Sequence, residues 1–215
     1  MQAETTVSNR RLVLFDFDGT LTHGDSLPPF LWQSVPFGVF ISGIIKFLFR
    51  LSTLLFLEKK QRAERAKAAL MDVFFGGKTR QEMAQTGSDF FKNHLLKMVR
   101  PEMLALLRSY RDAGATVAIV SASFDVWLIP FCEAENIDLL CTELLFENDV
   151  FRGRLATPNC NREEKARRIR ERYNLTEFDK VIAYGNTSGD AAMLQLADEA
   201  WYCFPDGQIK KWKSA

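Results

Sequence analysis

An α/β fold is what this 215-residue sequence predicts, with strands laid parallel and a helical segment inserted after the first of them. Short apolar runs, Leu12 to Phe15, Thr116 to Val120 and Lys180 to Tyr184, alternate with longer stretches of helical composition. Such runs suit strands buried on both faces of a parallel sheet. Residues 24–98 carry helix formers and amphipathic spacing instead. The first apolar run also leads straight into an acidic turn, Asp16-Phe17-Asp18-Gly19-Thr20-Leu21, and open α/β sheets place their sites where strands end.

In an extended backbone Asp16 and Asp18 project to the same side. Two carboxylates there suit a magnesium ion, which takes oxygen ligands, and a division of labour between nucleophile and acid/base. An ordinary Asp-Gly turn is the plain alternative.

Composition bounds the rest. Hydrophobic residues make up 47 % of the chain and charged residues 26 %, as in a globular protein. A net charge of +1 gives no general attraction to nucleic acid. Cys132, Cys141, Cys160 and Cys203 form no Cys-x-x-Cys pair, so reduced thiols in a cytosolic protein are expected. Met1 to Arg11 is polar and lacks the apolar stretch of a signal peptide, which again points to the cytoplasm.

The insert opens with Asp25, read as a turn or helix-start carboxylate ahead of Pro28-Pro29. Phe37 to Leu57 is long enough to span a bilayer as a helix but contains Lys46 and Arg50. Those cations cost roughly 5–7 kcal/mol at a bilayer centre and the apolar residues return roughly 4–8 kcal/mol, so no stable span is predicted. Ser42, Lys46, Arg50 and Thr53 make one polar stripe on an otherwise apolar helix. That pattern fits a helix packed in a small bundle or one lying at the inner membrane surface with its cations near anionic headgroups. Glu58 to Met71 reads as a charged helix, Gly76-Gly77 breaks it, and Thr79 to Glu82 fits a capping box for a helix running to about Val99. Among the arginines of the insert, Arg62, Arg65 and Arg80 are all open as substrate contacts.

Pro101 to about Ala113 is read as helix, Phe124 to Asn136 as helix, and Leu139 to Phe146 with Val150 to Leu155 as a hairpin. A helix from Glu163 to Tyr173 and a strand from Asp198 to Phe204 follow, with a frayed basic tail.

Taken in order, Asp-x-Asp-Gly-Thr-Leu after a strand, a strand ending in Ser121, Lys165 opening a helix, and Gly185-Asn186-Thr187-Ser188-Gly189-Asp190 after a strand resemble the four motifs of the haloacid dehalogenase superfamily. The helical insert resembles the cap of its phosphoserine-phosphatase-like branch, which also holds phosphatidylglycerophosphate phosphatases. The resemblance implies a Rossmann-like core over residues 1–23 and 99–215 with a cap over 24–98. It implies a magnesium-dependent phosphomonoester hydrolase in which Asp16 forms an aspartyl-phosphate and Asp18 is acid and base. Thr20, Ser121, the Ala122 amide and Lys165 would bind the phosphate, and Asp25 would read the substrate. Asp16, the Phe17 carbonyl or the Asp18 segment, Asn186 and Asp190 would hold magnesium. Asn186 stands where the family usually has Asp, which removes one negative charge from that site. The Phe-rich cap favours a lipid or amphipathic phosphate, with phosphoserine or another small metabolite next. A weakly active member that binds phosphorylated ligands or membranes is the remaining reading.

Overall fold

A computed structural model describes residues 10–53 and 59–213. Residues 54–57 of the apolar stretch lie outside the described residues.

The strand β1 (Arg11–Phe15) sits inside a six-stranded sheet of order β3-β2-β1-β6-β7-β8. Its partners are β2 (Thr116–Phe124) and β6 (Lys180–Gly185), both parallel to it. The strands β3 (Asp138–Thr142) and β7 (Glu199–Cys203) extend the parallel sheet on either side. The short β8 (Ile209–Lys211) pairs antiparallel with β7, where the sequence suggested a frayed tail.

Alternation along β1 explains the two layers. Val13 and Phe15 enter one apolar cluster and Leu12 and Leu14 the other, all fully buried. Successive side chains of a strand point to opposite faces, so each face takes its own helices. On one side lie α6 (Pro101–Asp112) and α7 (Asp125–Glu135); on the other lie α8 (Glu163–Arg172) and the short α9 (Ala191–Leu194). After β3 the chain crosses to β6 on the other side of β1, so the strand order reverses at β1. The C-terminal ends of β1, β2 and β6 therefore frame a crevice.

Between β1 and α6 the chain forms α1 (Leu27–Ser34), α2 (Phe37–Thr53), α3 (Lys59–Phe75) and α4 (Arg80–Phe90), followed by a wide turn and the short α5 (Leu96–Met98). The Thr79 capping box is formed. Phe30 of α1 packs its ring 4.4 Å from Trp127 of α7, 5.2 Å from Phe75 and 5.3 Å from Phe90. At Gly87 of α4 a Cβ would lie 1.8 Å from the Val126 carbonyl, so that helix presses directly on α7. The insert and the sheet domain thus share one apolar cluster.

The hairpin of β4 (Leu144–Glu147) and β5 (Val150–Leu155) is separate from the main sheet. The run Leu139 to Phe146 is therefore split: its first part joins β2 and its last part turns into the hairpin. The hairpin docks under α3, where a Cβ on Gly153 would meet Asp72.

Candidate active site

Each side chain of the site is placed by the end of a strand or the start of a helix. The Asp16 amide donates to the Tyr184 carbonyl at 2.9 Å, so parallel pairing with β6 continues to the first residue of the turn. Gly19 then takes φ +77°, which lets the chain reverse over the site. A Cβ there would lie 2.0 Å from Asn186 Nδ2, so glycine is also what makes room for Asn186.

Lys165, on the first turn of α8, is buried and donates at 2.6 Å to Oδ1 of both Asp16 and Asp190. Among the described residues the other Asp16 oxygen accepts only a long bond from Thr20 Oγ1, 3.3 Å. Burial pushes the Asp16 carboxyl up to about 7, with Lys165 opposing. Burial alone would lower Lys165, but the two carboxylates hold its ammonium well above the usual lysine range. Lys165 is therefore the fixed cation of the cluster.

Asp18 has different neighbours. Its Oδ1 accepts from the Ser26 amide at 2.8 Å and its Oδ2 from the Ser123 hydroxyl. Ser26 is itself held by the Trp127 indole at 2.9 Å. Burial raises the Asp18 carboxyl above the usual range, against those hydrogen bonds. Two carboxylates two residues apart thus sit in distinct environments, one clamped by a cation and one held by neutral donors.

The strand β2 runs past Val120 to Phe124, so Ser121 and Ser123 fall on one side of it. Ser121 Oγ accepts from the Ser123 amide at 3.0 Å. Short neutral donors in this place suit developing negative charge.

Asp190 is fixed from three directions: its Oδ2 accepts from the Asn186 amide at 3.0 Å, the Thr187 amide at 2.9 Å and Thr187 Oγ1 at 3.0 Å. Burial works to raise its carboxyl, but Lys165 and these donors hold it below the usual range. Beside it, Asn186 Oδ1 is buried without any hydrogen-bond partner among the described residues. A buried amide oxygen left unpaired is costly unless something else occupies it. Two carboxylates and that oxygen form a hard, oxygen-only donor set, which fits magnesium with water filling the remaining positions. Among the described residues no cluster of three or more His, Cys, Asp or Glu forms a metal site.

These groups line a cavity of about 470 Å³ that contains Asp16, Asp18, Asp25, Ser121, Ala122, Lys165, Asn186 and Asp190. Two residues named from sequence fall outside its lining. Thr20 is fully buried behind Asp16 and positions that carboxylate instead of facing the cavity. The Phe17 carbonyl accepts from the Thr22 amide at 3.1 Å, a bond that closes the turn. Asp25 is exposed at the cavity edge and accepts from the Leu27 amide at 2.9 Å, the turn role weighed for it.

Lys67 was missed. It lies on α3, partly buried, with its Nζ donating to the Ala122 carbonyl and, at 3.2 Å, to Asn159 Oδ1, 4.8 Å over the Phe124 ring. Burial pulls its ammonium down to about 8, with Asp18 and Asp25 opposing. Its only sequence signal is membership in a charged helical run, which usually marks a solvated face. Ser123 does carry a sequence signal, as the same-face neighbour of Ser121 on a strand that continues to Phe124.

The comparisons with known proteins agree with this architecture. A family model described as haloacid dehalogenase-like hydrolase matches residues 13–195. Protein CicA of Caulobacter vibrioides is 36 % identical over 194 residues, covering 89 % of this chain and 85 % of that protein. A crystal structure of a protein of unknown function from Bordetella pertussis Tohama I superimposes with a TM-score of 0.70 at 21 % identity, covering 90 % of this chain and 89 % of that one. A phosphoserine phosphatase in its apo form gives a TM-score of 0.59 at 14 % identity, covering 89 % and 84 %. At these identities the two structures speak to the fold alone.

Proposed function

This chain belongs to the haloacid dehalogenase-like hydrolase family, and from that premise we propose that it is a magnesium-dependent phosphomonoester hydrolase working through an aspartyl-phosphate. The observation that carries the reading is the contrast between the two carboxylates. Asp16 is clamped through one oxygen by Lys165, while Asp18 is raised by burial among neutral donors.

In the first step the free oxygen of Asp16 attacks phosphorus and the bond to the ester oxygen breaks. Asp18 gives its proton to the departing alkoxide. In the second step Asp18 takes a proton from water, the water oxygen attacks phosphorus, and the acyl phosphate bond breaks to return the Asp16 carboxylate and free phosphate. Lys165 orients Asp16 and neutralises charge on the phosphoryl oxygens throughout, with Ser121 and the Ala122 amide as further donors. Asp16, Asn186, Asp190 and the Asp18 backbone carbonyl would hold magnesium, which supplies further charge neutralisation on the phosphoryl group.

Lys67 supports a narrower substrate class. A lysine brought into the cavity by α3, without a carboxylate in ion-pair distance among the described residues, suits a second anionic group on the substrate. Phosphoserine carries one as a carboxylate and phosphatidylglycerophosphate as a phosphodiester. The test is magnesium-dependent phosphate release from phosphoserine, sugar phosphates, nucleotides and phosphatidylglycerophosphate in mixed micelles, with Asp16→Asn as blank. Turnover of the lipid above all others supports an amphipathic substrate; turnover of phosphoserine alone moves the assignment to the small metabolite. Ligand binding by both proteins with no turnover by either removes the enzymatic reading.

A further inference from the structure

The helix α2 is attached to the molecule along one side, where Phe40 and Ile44 pack against the apolar cluster. Its one fully buried position is Gly43, where a Cβ would lie 2.5 Å from the Phe74 ring of α3. Phe37, Ile41, Ile45, Leu48 and Phe49 point the other way. Phe49 is 81 % exposed, Phe37 66 %, Ile45 62 % and Leu48 58 %. At 100° per residue these five occupy one continuous face. Trp32, itself exposed, packs edge-on against Phe37 at 5.7 Å and continues the face onto α1. Contiguous apolar surface of this kind marks a partner.

Charge says which partner. From Ser26 to Leu57 there is no acidic residue, while Lys46 borders the apolar face and Arg50 follows it one turn on, toward α3. Arg50 pairs with Asp72, and Lys46 makes no ion pair among the described residues. With Phe49 and Thr53 they line a groove of about 440 Å³ beside the face. No helix among the described residues is long and apolar enough to cross a membrane. An amphipathic helix with a wide apolar face, a flanking cation and an exposed tryptophan suits the plane of a lipid interface. A second copy suits it less: two α2 helices paired antiparallel would meet at Ile45 and bring the two Lys46 side chains to one rim.

We propose that the α1–α2 face, Trp32 with Phe37, Ile41, Ile45, Leu48 and Phe49, is a docking surface for an anionic lipid bilayer, with Lys46 directed to the headgroups. The surface is independent of the catalytic reading, because none of these residues lines the active-site cavity.

Flotation of the full chain with vesicles tests it. One set holds equal parts phosphatidylcholine and phosphatidylglycerol, the other phosphatidylcholine alone. The wild type is expected to float with the anionic set, more weakly with the neutral set, and less as salt is raised. Ile45→Glu/Phe49→Glu should stay at the bottom with its circular dichroism unchanged, since both positions are exposed. Lys46→Gln should lower affinity for the anionic set about fivefold. Asp16→Asn should float like the wild type, which separates this proposal from the enzymatic one. A wild type that stays at the bottom with anionic vesicles overturns the proposal. So does a double-glutamate variant that floats like wild type, or light scattering that finds a wild-type dimer which the double variant splits.

Discussion

Lys67 and Asp16 are both lysine–carboxylate problems solved differently. Asp16 has a lysine bonded to it, so its charge is balanced inside the molecule. Lys67 is bonded to a carbonyl and an amide oxygen, so its charge is left for a ligand. Lys67→Met keeps the length and removes the charge. For a substrate with a second anionic group it should raise KM about tenfold and change kcat less than about threefold, measured by steady-state phosphate release. Because its ammonium sits at about 8, the wild-type KM should also climb as pH rises through that value, and the variant's should not. At this scale the sequence was legible where a motif orders the residues: Asp16, Asp18, Ser121, Lys165 and Asp190 all line one cavity. Lys67 was not legible, because its direction depends on how α3 is seated over the sheet. The bond from the Thr22 amide to the Phe17 carbonyl inside the turn likewise has no mark in composition.

Two elements carry testable consequences of their own. The turn after β1 needs Gly19 both for its positive φ and for the space taken by Asn186. Gly19→Ala should cost about 1 kcal/mol in stability from the backbone alone. By displacing Asn186 it should also raise the magnesium concentration for half-maximal activity about tenfold or more, read from a magnesium titration. The start of α7 is the second case. Asp125 Oδ1 accepts from the Val126 amide at 3.0 Å and the Leu144 amide at 3.4 Å, tying the helix to the hairpin. Burial pushes its carboxyl up to about 7. A raised value means that the folded protein binds this proton more tightly than the unfolded chain does. The stabilisation is complete below an ordinary carboxylate value of about 4 and is lost as pH rises through about 7. Asp125→Asn keeps the accepting oxygen and removes the ionisation. Its Tm should match wild type near pH 4 and exceed it by several degrees at pH 8, by thermal melts. Helix starts were legible from caps such as Thr79, whereas β8 was not: three exposed residues acquire strand geometry only by pairing with β7.

For the molecule as a whole, alternation of apolar runs with helical stretches was enough to read a parallel sheet, because a strand buried on both faces leaves little choice of composition. The seat of the insert was harder to see. Phe30, Phe75, Phe90 and Trp127 join it to α7 through contacts between residues distant in the chain, which no local pattern announces. The same assembly sets Asp16 and Asp18, the proposed nucleophile and acid/base, at the end of β1 and the Lys165 ammonium at the start of α8. The first measurement to make is release of p-nitrophenol from p-nitrophenyl phosphate by the wild type and by Asp16→Asn, with and without magnesium. Release by the wild type that requires magnesium and falls about 10³-fold or more in the variant is expected if Asp16 is the nucleophile. A folded Asp16→Asn protein that matches the wild-type rate would show that phosphorus is never transferred to Asp16.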